Sequence, residues 1–111
     1  MGSSTVRMTL SWHVPIGRSR SVTVALHSLM VDARGEPGFV SSSISADVAT
    51  LAGVRYIEEW VSEDHLRRML LSDHFSQLAT LIDDAIDSPS VSFALPTGTR
   101  GIDYLNEVRD N

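Results

Sequence analysis

The chain has no cysteine and no lysine among its 111 residues. The first absence excludes disulfides, thiolate nucleophiles, thiolate metal sites and iron–sulfur clusters. The second excludes a Schiff-base lysine, including one for pyridoxal phosphate. No apolar run approaches the ~20 residues of a membrane-spanning helix. The start Met1-Gly2-Ser3-Ser4-Thr5-Val6 lacks the basic-then-apolar plan of a secretion signal and puts Val6 where myristoylation requires Ser or Thr. Positive charge is also scarce, with nine arginines against fourteen acids for a net charge of −5. That balance argues against nucleic acid or an anionic membrane as the main partner. A cytoplasmic location is the expectation from these absences together.

What is present is ordinary for a folded domain: 42% hydrophobic and 21% charged residues. The expectation is one domain over residues 1–111, with a core of about residues 5–95 and a C-terminal extension over 96–111. A chain of this size buries roughly two-thirds of its unfolded surface and is short for a deep private pocket, so a partner subunit is the natural way to enlarge a site.

Val6, Met8, Leu10, Trp12 and Val14 alternate with Arg7, Thr9, Ser11 and His13, the period of a half-buried strand. Pro15 and Gly17 end it. Helical spacing of Val22, Ala25, Leu26, Leu29, Met30 and Ala33 predicts a helix from about Arg20 to Ala33 with Ser19 as cap. A serine-rich second strand runs from about Phe39 to Ala46, Asp47 to Ala52 forms a hairpin loop, and a third strand runs from Gly53 to Trp60. Ser62 caps the next helix, with Glu63 and Asp64 in its first turn. Ser72 and Asp73 break it, and Phe75, Leu78, Ala79 and Ile82 begin a second stripe. Ser90 to Leu95 is strand four. In the tail, apolar Ile102, Leu105 and Val108 predict a short helix or strand laid on a partner. The fold class is therefore α+β: a ferredoxin-like βαββαβ unit with an antiparallel sheet whose second face needs a cover.

The Glu58-x-Trp60 strand end, the helix after Ser62 and the Ser72-Asp73-His74-Phe75 turn resemble the antibiotic biosynthesis monooxygenase family over roughly Met8 to Leu95. The resemblance implies a homodimeric α+β barrel and, for its quinol-monooxygenase-like members, oxidation of an aromatic, quinol or polyketide-like substrate by dioxygen with no cofactor and no metal. It matches Glu58 and Trp60 to the family's strand-end pair, and His74 with Phe75 to its helix turn. Where many relatives carry a histidine, and the haem-degrading branch a tryptophan, this chain has Met69. That branch's histidine falls at Ala79, and the asparagine of the quinone-forming branch at Tyr56.

Such chemistry needs a dry aromatic pocket, a base and donors aimed at the developing oxyanion. Strand alternation puts Tyr56, Glu58 and Trp60 on one face, where all three are expected to line the barrel interior. His13 and His74 are both candidates for the base, and the sequence does not choose between them. The candidate catalytic residues are Trp60, His74, His13 and Tyr56, and the candidate substrate-binding residues Glu58, Met69 and Phe75. Each has a structural alternative: Trp60 as packing, Glu58 as an arginine partner, His74 as a helix breaker. His27 and His65 are expected on solvated helix faces. Two other functions stay open, an isomerase of small carbonyl compounds and a non-catalytic ligand-binding dimer.

Overall fold

A computed structural model describes residues 5–46, 52–83 and 85–110. Its elements are β1 (Val6–Val14), α1 (Ile16–Ala33), β2 (Phe39–Ala46), β3 (Ala52–Trp60), α2 (Glu63–Leu70), α3 (Asp73–Ile82), β4 (Ser90–Leu95), β5 (Gly98–Arg100) and α4 (Ile102–Arg109). The five strands form one sheet in the order β2-β3-β1-β4-β5, with every neighbouring pair antiparallel. This is the ferredoxin-like arrangement read from the sequence, with one strand and one helix added at the end. The expected hairpin loop lies outside the described residues for 47–51, as does the start of the chain over 1–4.

The helices cover one face of the sheet. Val6, Met8, Leu10, Trp12 and Val14 of β1 are each no more than 2% exposed and meet Val22, Leu26 and Leu29 of α1, Leu66 and Leu70 of α2 and Leu78 of α3. Each such aliphatic side chain taken from water is worth ~1.5–3 kcal/mol, which fixes which face of β1 points inward. The other face carries Arg7, Thr9, Ser11 and His13 from β1, Ser41, Ser43 and Ser45 from β2, and Arg55, Ile57 and Glu59 from β3, all exposed or half-buried.

Two expectations are corrected. The first helix begins at Ile16, four residues before Arg20, and its cap is Pro15 (φ −58°, ψ 142°) with no side-chain cap bond. Proline supplies the pre-set φ and has no N–H to satisfy, and the Arg18 N–H already bonds the Pro15 carbonyl at 2.8 Å. Ser19 is thus inside the helix, where its carbonyl accepts the Thr23 hydroxyl. Secondly, the tail adds a strand that was not expected, Gly98–Arg100, while the helix expected as one of its two forms is present over Ile102–Arg109. β5 forms a hairpin with β4 through Pro96 and Thr97, with Gly98 at φ 129°.

α4 is seated on the rest of its own chain. The Tyr104 ring lies 5.0 Å from Phe93, its hydroxyl donates to Glu63 at 2.8 Å, and Arg109 donates to the Leu70 carbonyl at 2.6 Å. Tyr104 and Val108 are buried, whereas Ile102 is 54% exposed.

Candidate active site

Register decides where the third strand's polar residues go. Leu10 faces Tyr56, Met8 faces Glu58 and Val6 faces Trp60 directly across β1 and β3. Residues paired in this way share a face, so Tyr56, Glu58 and Trp60 lie beneath the helices with the apolar face of β1. They do not line the open sheet face that a partner's sheet would meet, and the expectation of a barrel-lining trio is corrected in that respect.

A carboxylate in this interior must be fully bonded, and Glu58 is. Its side chain is 0% exposed. Oε1 accepts from the Trp60 indole N–H at 3.1 Å, and Oε2 accepts the Tyr56 hydroxyl and lies 2.5 Å from His74 Nε2. The strand sets the first two contacts, since residues two apart point the same way. The helix break sets the third. Ser62 caps α2 by accepting the His65 N–H at 3.3 Å, α2 stops at Leu70, and the Ser72 hydroxyl folds back onto the Met69 carbonyl at 2.6 Å. α3 then starts afresh at Asp73, which turns His74 toward the sheet.

With Nε2 given to the carboxylate, His74 keeps Nδ1 as its remaining ring nitrogen, and that atom is buried with no partner. In the neutral imidazole, Glu58 therefore selects the tautomer with the hydrogen on Nε2 and a lone pair on Nδ1, the arrangement a general base needs. The only other buried side-chain nitrogen or oxygen without a partner, among the described residues, is Trp12 Nε1.

Trp60 has a second neighbour besides Glu58. Packed edge-on to Phe39 with ring centres 5.6 Å apart, it forms part of the wall of a cavity of about 240 Å³ together with Glu36, Pro37, His65, Arg68, Met69 and Ser72. A larger hollow of about 420 Å³ is lined mainly by the open sheet face, from Ser11, His13, Ser45, Gly53 and Arg55. No group of three or more His, Asp or Glu side chains among the described residues is placed to hold a metal ion.

No protein-family model and no curated protein matches this sequence. Solved structures do match. A cofactor-independent oxygenase from Streptomyces nogalater, SnoaB, in a variant form, aligns at a TM-score of 0.67 and 16% identity over 81% of this chain and 90% of that one. The chain has the antibiotic biosynthesis monooxygenase fold. A structure named as an antibiotic biosynthesis monooxygenase aligns at 0.68 and 16% identity over 79% and 94% of the two chains, and a conserved protein from Methanosarcina mazei at 0.72 and 17% over 82% and 91%. At these identities the likeness is one of fold.

On this fold the structure gathers Tyr56, Glu58, Trp60 and His74 into one network and puts Met69 on the adjoining cavity. It separates two others. His13 is on the open face, with Nδ1 2.8 Å from Asp87, and Phe75 is buried in the core beneath the Arg109 guanidinium, 5.4 Å from its ring centre. One residue was misjudged: His65 is half-buried and lines the cavity, its Nδ1 2.7 Å from the Ser62 hydroxyl. The signal was the Ser62-x-x-His65 spacing, which sets a residue at the third helical position beside the cap. Gly38 completes the fit, because at φ 84° it packs on the His65 ring where any Cβ would overlap it.

Burial pushes the Tyr56 hydroxyl well above the ordinary tyrosine range, and the neighbouring Glu58 charge and hydrogen bond add to the shift. Tyr104 is pushed up to about 12 by burial and by Glu63. These are the chain's two tyrosines. A pKa raised on folding contributes stability that is fully present below the unfolded value of about 10 and is lost as pH rises toward the folded value. An ultraviolet titration should accordingly find no tyrosinate in the folded protein near pH 10, and both residues ionising near there in denaturant. One tyrosine titrating at its ordinary value in the folded state would contradict the burial and hydrogen bonding of Tyr56 or of Tyr104.

Proposed function

We propose that this protein is a cofactor-independent monooxygenase that oxidises an electron-rich phenol or quinol with dioxygen, as a cytoplasmic homodimer. The observation that carries the reading is the buried Glu58 carboxylate, which orients His74 on one oxygen and, on the other, Trp60, a wall of the neighbouring cavity. Substrate occupies the space beside Trp60 and Met69. His74 Nδ1 takes the phenolic proton, and Glu58 stabilises the imidazolium that forms. The anion gives one electron to dioxygen, and the resulting superoxide joins the ring carbon. Loss of water from the peroxide leaves a carbonyl, so one dioxygen converts a phenol and its ring C–H to a quinone and one water. Because His74 is sealed from solvent, the Met69–Ser72 turn between α2 and α3 must yield for the transfer.

An oxygen electrode tests this with hydroquinone and anthrone-type substrates. The expected result is one dioxygen consumed per substrate, with His74→Gln slower by about 10²–10⁴-fold at unchanged far-ultraviolet circular dichroism. Substrate turnover without oxygen uptake would favour an isomerase instead. A second reading, a ligand-binding module, is favoured by the complete burial of Glu58 and Tyr56; a binder would hold its ligand unchanged in air.

The homodimer reading is supported by the sheet face that no helix covers and by Ile102, left exposed on α4. That face is mostly serine, threonine and arginine, so the interface would be polar and wet. Light scattering should give twice the 12.1 kDa chain mass, and a monomer at all micromolar concentrations would contradict it.

A further inference from the structure

We infer that the cavity beside Trp60 takes a single aromatic ring carrying an acid group, with Arg68 pairing with the acid and His65 bonding the ring's hydroxyl. The inference rests on the proposed monooxygenase reading for the reaction that follows, but not for the binding itself.

Size limits the ligand first. At about 240 Å³ the cavity is below the ~300–1,000 Å³ of sites for drug-sized ligands, which suits a small ligand such as one substituted ring. Charge limits it next. Arg68 is exposed on the last turn of α2, and its side chain has no hydrogen bond or ion pair with any described residue. Two other arginines beside the helices are engaged, Arg109 by the Leu70 carbonyl and Arg100 by Asp103 and Glu107. An unengaged guanidinium on a cavity wall is suited to a carboxylate by its fork of donors. Glu36, on the same wall, pairs with no described residue and disfavours a second negative charge on the ligand.

Orientation comes from His65. The Ser62 hydroxyl occupies its Nδ1 and Gly38 packs on the ring, so the imidazole is fixed and Nε2 is the nitrogen left for a ligand. Trp60 and Met69, buried to 1% and 4% exposure, give the cavity its apolar floor. A ring whose acid group meets Arg68 at the rim and whose hydroxyl meets His65 would present its remaining edge to Trp60, the member of the Glu58 network that reaches this space.

Gentisate and hydroquinone make the test, since one is the other with a carboxylate added. Both are titrated under nitrogen into the intact protein, followed by tryptophan fluorescence and by proton NMR, so that no turnover is needed. Gentisate is expected to bind at least roughly tenfold more tightly, the worth of one charge-assisted contact. Arg68→Gln should remove that preference and leave hydroquinone binding unchanged, while His65→Gln should weaken both ligands. Equal binding of the two, a preference that survives Arg68→Gln, or no binding of either overturns the inference. Selective gentisate binding without oxygen uptake in air would instead count against the monooxygenase reading and leave the binding site standing. Oxygen uptake with hydroquinone, while gentisate and hydroquinone bind equally, would do the reverse.

Discussion

Replacing Glu58 by alanine is expected to lower folding stability by about 3–5 kcal/mol, the combined cost of leaving three buried groups without their acceptor. Three groups lose their acceptor at once: the Tyr56 hydroxyl, the Trp60 indole N–H and His74 Nε2. All three are buried, so water cannot replace the carboxylate without opening the sheet–helix layer, and each unpaired group costs ~1–3 kcal/mol. Against a total of ~5–15 kcal/mol for a domain, the variant would be close to unfolding. Glu58→Gln keeps the volume but offers only one acceptor oxygen, and its loss should be smaller, about 1–2 kcal/mol. Urea titrations of the two variants beside the parent make the comparison. A loss below about 1 kcal/mol for Glu58→Ala would mean that the donors find other partners and that the network does not organise this interior.

Deleting α4 from Ile102 onward should cost about as much. Tyr104 and Val108 leave the core, and the deletion uncovers Phe93 and Phe75, which Tyr104 and Arg109 now cover. At ~1.5–3 kcal/mol for each large side chain returned to water, the loss is about 3–6 kcal/mol. With each kcal/mol moving the midpoint by ~4–8 °C in a domain near this size, thermal melting should shift down by about 15 °C or more. A shift under about 5 °C would mean that α4 is loosely held, despite the Tyr104–Glu63 and Arg109–Leu70 hydrogen bonds.

Much of the architecture was legible because the local signals were strong. The alternation from Val6 to Val14 gave β1 to the residue, and Ser62 with the acids behind it marked the start of α2. The break before His74 could be read from Ser72 and Asp73. What stayed hidden depended on distant parts of the chain meeting. Alternation says that Tyr56, Glu58 and Trp60 share a face but not which face, and only their register with Leu10, Met8 and Val6 resolves it. His13 could be ranked beside His74 because alternation puts it on the polar face of β1, which a partner's sheet was expected to cover, and only the register with β3 places Glu58 on the opposite face. His65 was taken for a solvated residue because its burial depends on Gly38 and Pro37, which arrive from the loop before β2. β5 was missed because three residues carry no periodicity.

Oxidation under isotopically heavy dioxygen tests the central claim most directly, with the product of a quinol or anthrone-type substrate weighed by mass spectrometry. The account predicts one heavy oxygen atom in each product molecule formed by the parent protein, and little product from Glu58→Gln or His74→Gln, provided each variant is assayed where it is folded. Product whose new oxygen comes from water, or labelled product formed equally by both variants, would contradict a monooxygenase centred on Glu58 and His74.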